Sequence, residues 1–133
     1  MLTKGGLLFI ILWLTLTTRG SVLGGCSSRC VCSTGSIFEY GKACGLGYTM
    51  CDGEIPCDIV DAACFWHDDC VGTNGMLACS CAVGVVARLS CAIAELMHPT
   101  IDVNSTMGVV CPYALAAAHY MIENIIYLQH QCF

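Results

Sequence analysis

A glycine-rich stretch, Tyr40-Gly41-Lys42-Ala43-Cys44-Gly45-Leu46-Gly47, is followed twenty residues later by Cys64-Phe65-Trp66-His67-Asp68-Asp69-Cys70. Glycines let a loop adopt conformations closed to other residues and turn several backbone carbonyls toward one point. A hard cation such as Ca²⁺ takes about six to eight oxygen ligands, carbonyls and carboxylates among them. Histidine, with an ordinary pKa of about 6.5, is the usual proton acceptor at neutral pH. A carbonyl-lined loop beside a His-Asp pair on a cysteine-flanked helix therefore points to calcium-assisted hydrolysis.

Positioning these groups requires a helix under the second motif. Residues 57, 61, 64 and 68 follow steps of four, three and four, so Cys57, Asp61, Cys64 and Asp68 form one helical stripe. His67 lies about 100° around from Asp68, close enough to border the same pocket. The predicted helix runs from Cys57 to about Val71, with Pro56 near its first turn and Asp58 and Asp61 at its positive end. It stops before the turn signal Gly72-Thr73-Asn74-Gly75. A second helix is predicted over Leu77 to Met97, ended by Pro99. A third starts at Pro112 and runs to about Gln129, where Leu115, His119, Ile122 and Ile126 recur at helical spacing. Cys26 to Glu39 reads as an irregular stapled arm, and Tyr40 to Pro56, with four glycines, as a loop. The fold class expected is all-α: a small, disulfide-stapled helical domain with a calcium-binding loop.

Within 133 residues there is room for one domain. Lys4, an apolar run from Leu7 to Leu16, and small residues at Gly20, Ser21, Gly24 and Gly25 have the layout of a signal peptide. The apolar run is shorter than the ~20 residues a membrane span needs. The division expected is a leader over 1–24 and a domain over 25–133. All 13 cysteines lie beyond the leader, a density that reads as a disulfide framework in a secreted chain. Their odd number leaves at least one thiol free or linked to a partner chain. Mean hydropathy is +0.72, raised by the leader and the cysteines. Without the leader, Arg29, Lys42 and Arg88 face 10 acidic residues, a formal charge of −7. That balance argues against nucleic acid and strongly anionic membranes. Asn104-Ser105-Thr106 is a glycosylation sequon.

The chain resembles the secretory phospholipases A2, and their plant-type branch most. The resemblance rests on Tyr40-Gly41-Lys42-x-Cys44-Gly45, then Cys51-x-Gly53-Glu54-x-Pro56-Cys57-Asp58, then Asp61-x-x-Cys64-x-x-His67-Asp68-x-Cys70-Val71. It implies that His67 activates a water and that Asp68 is the side-chain ligand of Ca²⁺. It also implies that carbonyls of Ala43, Gly45 and Gly47 complete the protein's share of the shell, with Tyr48 as a substitute for Gly47. The Gly45 N–H and the metal would stabilise an oxyanion at the sn-2 ester carbonyl. The products would be a fatty acid and a lysophospholipid, formed at a membrane or micelle surface. Cys44–Cys64 and Cys70–Cys91 are the cross-links that carry over best.

The chain departs from this pattern at several positions. Ala63 replaces one of two adjacent cysteines, which leaves a partner such as Cys111 without its usual mate. Cys79, Cys81 and Cys132 fall outside the family's positions, Ala43 replaces a usual tyrosine, and Met50 replaces a common glycine. The second predicted helix lacks the aspartate with which many animal relatives orient the histidine. Ser80, Ser90 or a water are the candidates here. The departures motivate a rival reading, a non-catalytic calcium- or phospholipid-binding relative. Cys64-x-x-His67-x-x-Cys70 also has zinc-ligand character, set against the oxidising compartment. His119 is expected to pack between helices, and His98 and His130 to sit at helix ends or on the surface. Phe65 and Trp66 are read as core or as part of a lipid-facing rim.

Overall fold

The structure, a computed structural model, describes residues 25–32, 39–45, 47–98 and 111–133. The expected leader over 1–24 and the sequon at Asn104 lie outside the described residues. Three α-helices form the body: α1 (Ile59–Asn74), α2 (Cys79–Met97) and α3 (Ala114–Leu128), followed by one 3₁₀ turn, His130–Cys132. Isolated β-bridges join Ser27 to Met50 and Val31 to Gly41, and no strand forms among the described residues.

Helix α1 starts where Asp58 caps it: the Asp61 N–H donates to Asp58 Oδ1 at 2.8 Å. Pro56 and Cys57 therefore lie before the helix rather than in its first turn. The helix also continues through Gly72, past the predicted stop. The Asn74 side chain donates to Cys70 O, and the Gly75 N–H closes on Val71 O with Gly75 at φ +93°. Of the two glycines in the turn signal, only Gly75 has the positive φ at which α1 ends. Helix α2 begins at Cys79, two residues later than predicted, and ends at Met97 as expected. In α3, Pro112 and Tyr113 form a turn ahead of Ala114.

The core is built from small side chains. Val60, Ala63, Val85, Leu89, Ala92, Ala114 and Ala118 are buried together. The face of α3 that packs inward carries Ala114, Ala118, Met121, Ile122 and Ile125. Leu115, His119 and Ile126 of the predicted stripe are exposed instead, which corrects the expected packing of His119. The alanines win the buried face because they let α3 approach α2 closely. His98 and His130 are exposed, as expected.

Six disulfides supply what so small a core cannot. Cys26–Cys51 and Cys30–Cys57 tie the N-terminal arm to the loop, and Cys32–Cys111 ties it to the entry of α3. Cys44–Cys64 joins the loop to α1. Cys70 pairs with Cys81 rather than Cys91, and Cys79 pairs with Cys132. The expected Cys70–Cys91 bond is thus replaced, and Cys91 is a free, exposed thiol. Cys111 is not orphaned, because Cys32 takes the place of the cysteine missing at Ala63.

Helices α1 and α2 lock together through Trp66. Its ring lies against Gly84, where an added Cβ would fall inside the indole, and the Arg88 guanidinium stacks over it, 4.2 Å from the ring centroid. Gly84 is needed here for space. Gly84→Ala is expected to push Trp66 outward and destabilise the fold by about 1–3 kcal/mol, read as a lower denaturation midpoint with the disulfides intact. An unchanged midpoint would show that the indole relaxes freely. Phe65, by contrast, is 44% exposed, so the two neighbouring aromatics have separate roles.

Candidate active site

The loop is fixed to α1 by one buried carboxylate. Asp61 Oδ1 accepts the N–H groups of Lys42 (3.0 Å) and Ala43 (2.8 Å), and Oδ2 accepts that of Cys57 (2.8 Å). Asp61 is fully buried. Gly41 passes over it at φ +62°, and any Cβ there would overlap the Asp61 carboxyl group, so both backbone and space demand glycine. Sequence reasoning assigned Asp61 only a favourable charge at the helix start. Its place on the same helical stripe as Cys57, Cys64 and Asp68 was the available signal for this larger role.

The rest of the loop is braced in the same way. Lys42 is buried and donates to Glu54 (2.5 Å) and to Ile55 O (3.0 Å). The Tyr48 hydroxyl donates to Gly41 O at 3.1 Å, and the Tyr48 N–H reaches Gly45 O at 3.3 Å. The Tyr40 hydroxyl donates to Asp58, and burial followed by that bond pushes its pKa above the ordinary tyrosine range. Ala43 is buried in the core, so a small side chain fits there, and Met50 is buried at its bridge with Ser27. Gly45 and Gly47 both have positive φ. None of the three substituted positions, Ala43, Met50 and Ala63, breaks the packing around it.

Two side-chain atoms stand apart. Among the described residues, only His67 Nε2 and Asp68 Oδ2 are buried side-chain atoms with no hydrogen-bond partner. Orphaned buried polar atoms are rare enough to need a reason. Burial lowers the His67 pKa, which favours the neutral imidazole. Burial, with the charge of Asp61 second, raises the Asp68 carboxyl to about 8. A carboxylate in that position is costly as a free anion and is suited by a cation beside it.

The donor set fits an oxygen-loving cation. No group of three or more His, Cys, Asp or Glu side chains converges among the described residues, so a cation beside Asp68 would take most of its ligands from backbone oxygens, as the glycine-rich loop allows. Zinc is a poor match: Cys64 and Cys70 are both spent in disulfides. Ser90 donates to Val86 O at 2.8 Å, and Ser80 is exposed. Neither serine orients His67 Nε2.

A groove among the described residues lies elsewhere. It encloses about 710 Å³ between α1 and α2, and its walls include Trp66, Arg88 and Cys91 but neither His67 nor Asp68.

No protein-family model matches the chain. It is 41% identical over 96 residues to phospholipase A2-beta of Arabidopsis thaliana, covering 68% of this chain and 62% of that protein. Phospholipase A2-delta of the same plant is 37% identical over 86 residues, 61% of this chain and 45% of the relative. A rice phospholipase A2 structure superposes with a TM-score of 0.61 and 28% identity, over 85% of this chain and 95% of that one. The chain is similar to the plant phospholipases A2. It spans just under two thirds of the length of phospholipase A2-beta. A second rice structure of the same family, in complex with octanoic acid, matches with a TM-score of 0.59 over 81% of this chain and 90% of that one. The family match agrees with the all-α, disulfide-stapled architecture described above.

Proposed function

We propose that the chain is a secreted, Ca²⁺-dependent phospholipase A2 that hydrolyses the sn-2 ester of glycerophospholipids to a fatty acid and a lysophospholipid. The observation that carries this reading is the pair of buried, partnerless atoms on adjacent residues, His67 Nε2 and Asp68 Oδ2, on the helix that Cys44–Cys64 and Asp61 tie to the braced glycine loop. Secretion is supported by the leader layout and by six disulfides with a single free thiol.

His67, neutral at the working pH, takes a proton from water as the water oxygen attacks the ester carbonyl carbon, and returns it to the departing glycerol oxygen. The Gly45 N–H donates to the carbonyl oxygen as negative charge builds on it. Asp68 and the carbonyls of Ala43, Gly45 and Gly47, with Tyr48 as the alternative to Gly47, would hold the calcium ion. When bound, the ion supplies Lewis-acid polarisation of the ester carbonyl. With both serines engaged or exposed, a water is the group that orients His67. Asp61 keeps the loop and α1 in register, so the Gly45 N–H and His67 face one substrate.

Contact with lipid is expected through exposed apolar side chains rather than charge. Lys42 is committed to its ion pair with Glu54, which leaves few basic groups to attract an anionic surface. The deciding assay is fatty-acid release from mixed phospholipid vesicles by the oxidised protein, with millimolar calcium and then with EGTA. Release from the sn-2 position that EGTA abolishes is expected. Absence of release from folded, calcium-bound protein would overturn the enzyme reading in favour of a non-catalytic lipid- or calcium-binding relative.

A further inference from the structure

Helix α2 presents an outer face that the rest of the described chain leaves open. Val83, Ala87, Ser90, Ala94 and Met97, spaced by four, three, four and three, are all exposed, which is the spacing of a helix–helix seam. By length and composition α2 is apolar enough to cross a membrane, yet only 28% of that stretch is buried. Beside the seam runs the groove lined by Trp66, Arg88, Cys91 and Glu95. Cys91, the only free cysteine, sits at the middle of this surface.

The charges on the face select its occupant. Arg88 lies three residues before Cys91 and Glu95 four after, about 4.5 and 6 Å along the helix axis. A two-fold axis through Cys91 sets α2 antiparallel to its copy and brings each Arg88 opposite the other copy's Glu95, an isologous and self-complementary pattern. Arg88 is already held over Trp66, and a stacked guanidinium keeps its edge free for a carboxylate. A bilayer interior offers neither charge a partner. The side chains around the axis are small: Ala87, Ser90, Ala94. Packed helices have axes about 8–10 Å apart, and less two backbone radii of about 2.3 Å this puts facing Cα atoms about 3.4–5.4 Å apart. Cα atoms of bonded cysteines are commonly about 4.4–6.8 Å apart.

We propose that α2 is a homodimer interface, in which a second copy docks antiparallel across the groove, Arg88 pairs with Glu95 of the other copy, and the two Cys91 thiols form a disulfide. The oxidant is a low-molecular-weight disulfide such as oxidised glutathione. One Cys91 thiolate attacks it and expels a thiolate; the second Cys91 thiolate attacks the mixed disulfide and expels the other. Two protein thiols are oxidised, one small disulfide is reduced to two thiols, and the two protons pass to them. This interface shares no residue with the hydrolase reading and stands independently of it.

The test is dimer formation by the oxidised chain in a glutathione redox buffer, followed by sedimentation and by non-reducing electrophoresis. A dimer that reductant separates is expected, and Cys91→Ser should lose the covalent link while keeping six intramolecular disulfides by intact mass. Arg88→Glu should lower the dimer yield about fivefold, since two symmetric pairs become like-charge contacts. Because Arg88 also packs on Trp66, Glu95→Arg provides a second disruption that leaves that stack alone. The double exchange Arg88→Glu with Glu95→Arg should restore the dimer. A monomer whose Cys91 remains reactive to maleimide, a stable glutathione adduct, binding of vesicles through this face, or cross-linking insensitive to both charge changes would each overturn the interface.

Discussion

Replacing His67 by glutamine is expected to lower calcium-dependent fatty-acid release by about 10²–10⁴-fold while leaving calcium binding within a few fold of the parent. Glutamine is similar in reach and polarity but cannot accept a proton from water near neutral pH, so what is lost is the general base. His67 supplies no ligand to the ion in this reading, so calorimetric calcium titration should hardly change. Asp68→Asn is the contrasting variant. It removes the only side-chain charge assigned to the ion, and both calcium binding and release should fall together. Near-parental turnover in His67→Gln would sink the mechanism, and unchanged calcium affinity in Asp68→Asn would sink the metal assignment separately.

Asp61→Asn is the second substitution with a large expected effect, and it touches no substrate. The carboxylate accepts three backbone N–H groups from two segments, the loop at Lys42 and Ala43 and the helix approach at Cys57. An amide keeps one acceptor oxygen and turns an NH₂ group toward at least one of those donors. A buried donor left unpaired costs about 1–3 kcal/mol, so a loss of stability of about 3 kcal/mol is expected. The chain should still fold, because Cys44–Cys64 and Cys30–Cys57 hold the same segments together. Calcium affinity should drop by about tenfold, because the loop carbonyls lose their anchor and the field at Asp68 loses a negative charge. Unfolding midpoints measured with intact disulfides, together with calcium titration, check both parts. A change below about 0.5 kcal/mol would mean that the cross-links alone position the loop.

The rate loss and the stability loss separate two kinds of residue in one site. His67 and Asp68 are the atoms for which the fold provides no partner, and they are costly in the absence of one. Asp61 is the reverse, a buried carboxylate whose two oxygens both accept backbone N–H groups. One group stores unsatisfied chemistry, and its neighbour on the same stripe supplies the rigidity that keeps it in place.

Much of this was legible in residue order. The three helices follow from apolar and alanine-rich periodicity bounded by Pro and Gly, and the loop follows from its four glycines. The His-Asp pair and its cysteine frame are local, with spacing that a single helix turns into geometry. That is why the match to the plant phospholipases A2 rests on a contiguous block of the chain. Boundaries were less legible: Gly72 lies inside α1 and Gly75 ends it, because either glycine can take left-handed φ and only the surrounding hydrogen bonds choose.

An all-α chain, an odd number of cysteines and one chemically loaded loop-and-helix pair follow from residue order, since each depends on local spacing or simple counting. The tertiary structure decided the partners. Cys70 joins Cys81 and leaves Cys91 free, because disulfide pairing depends on which Cβ atoms the packed helices bring together. His119 faces outward because Ala114 and Ala118, with Met121, Ile122 and Ile125, form the face that packs against the core. Asp61 became the keystone of the loop because Gly41 leaves room above it and three N–H groups converge there. Each of these outcomes depends on residues distant in sequence meeting in space, where volume and hydrogen-bond satisfaction select among arrangements that residue order alone leaves equivalent.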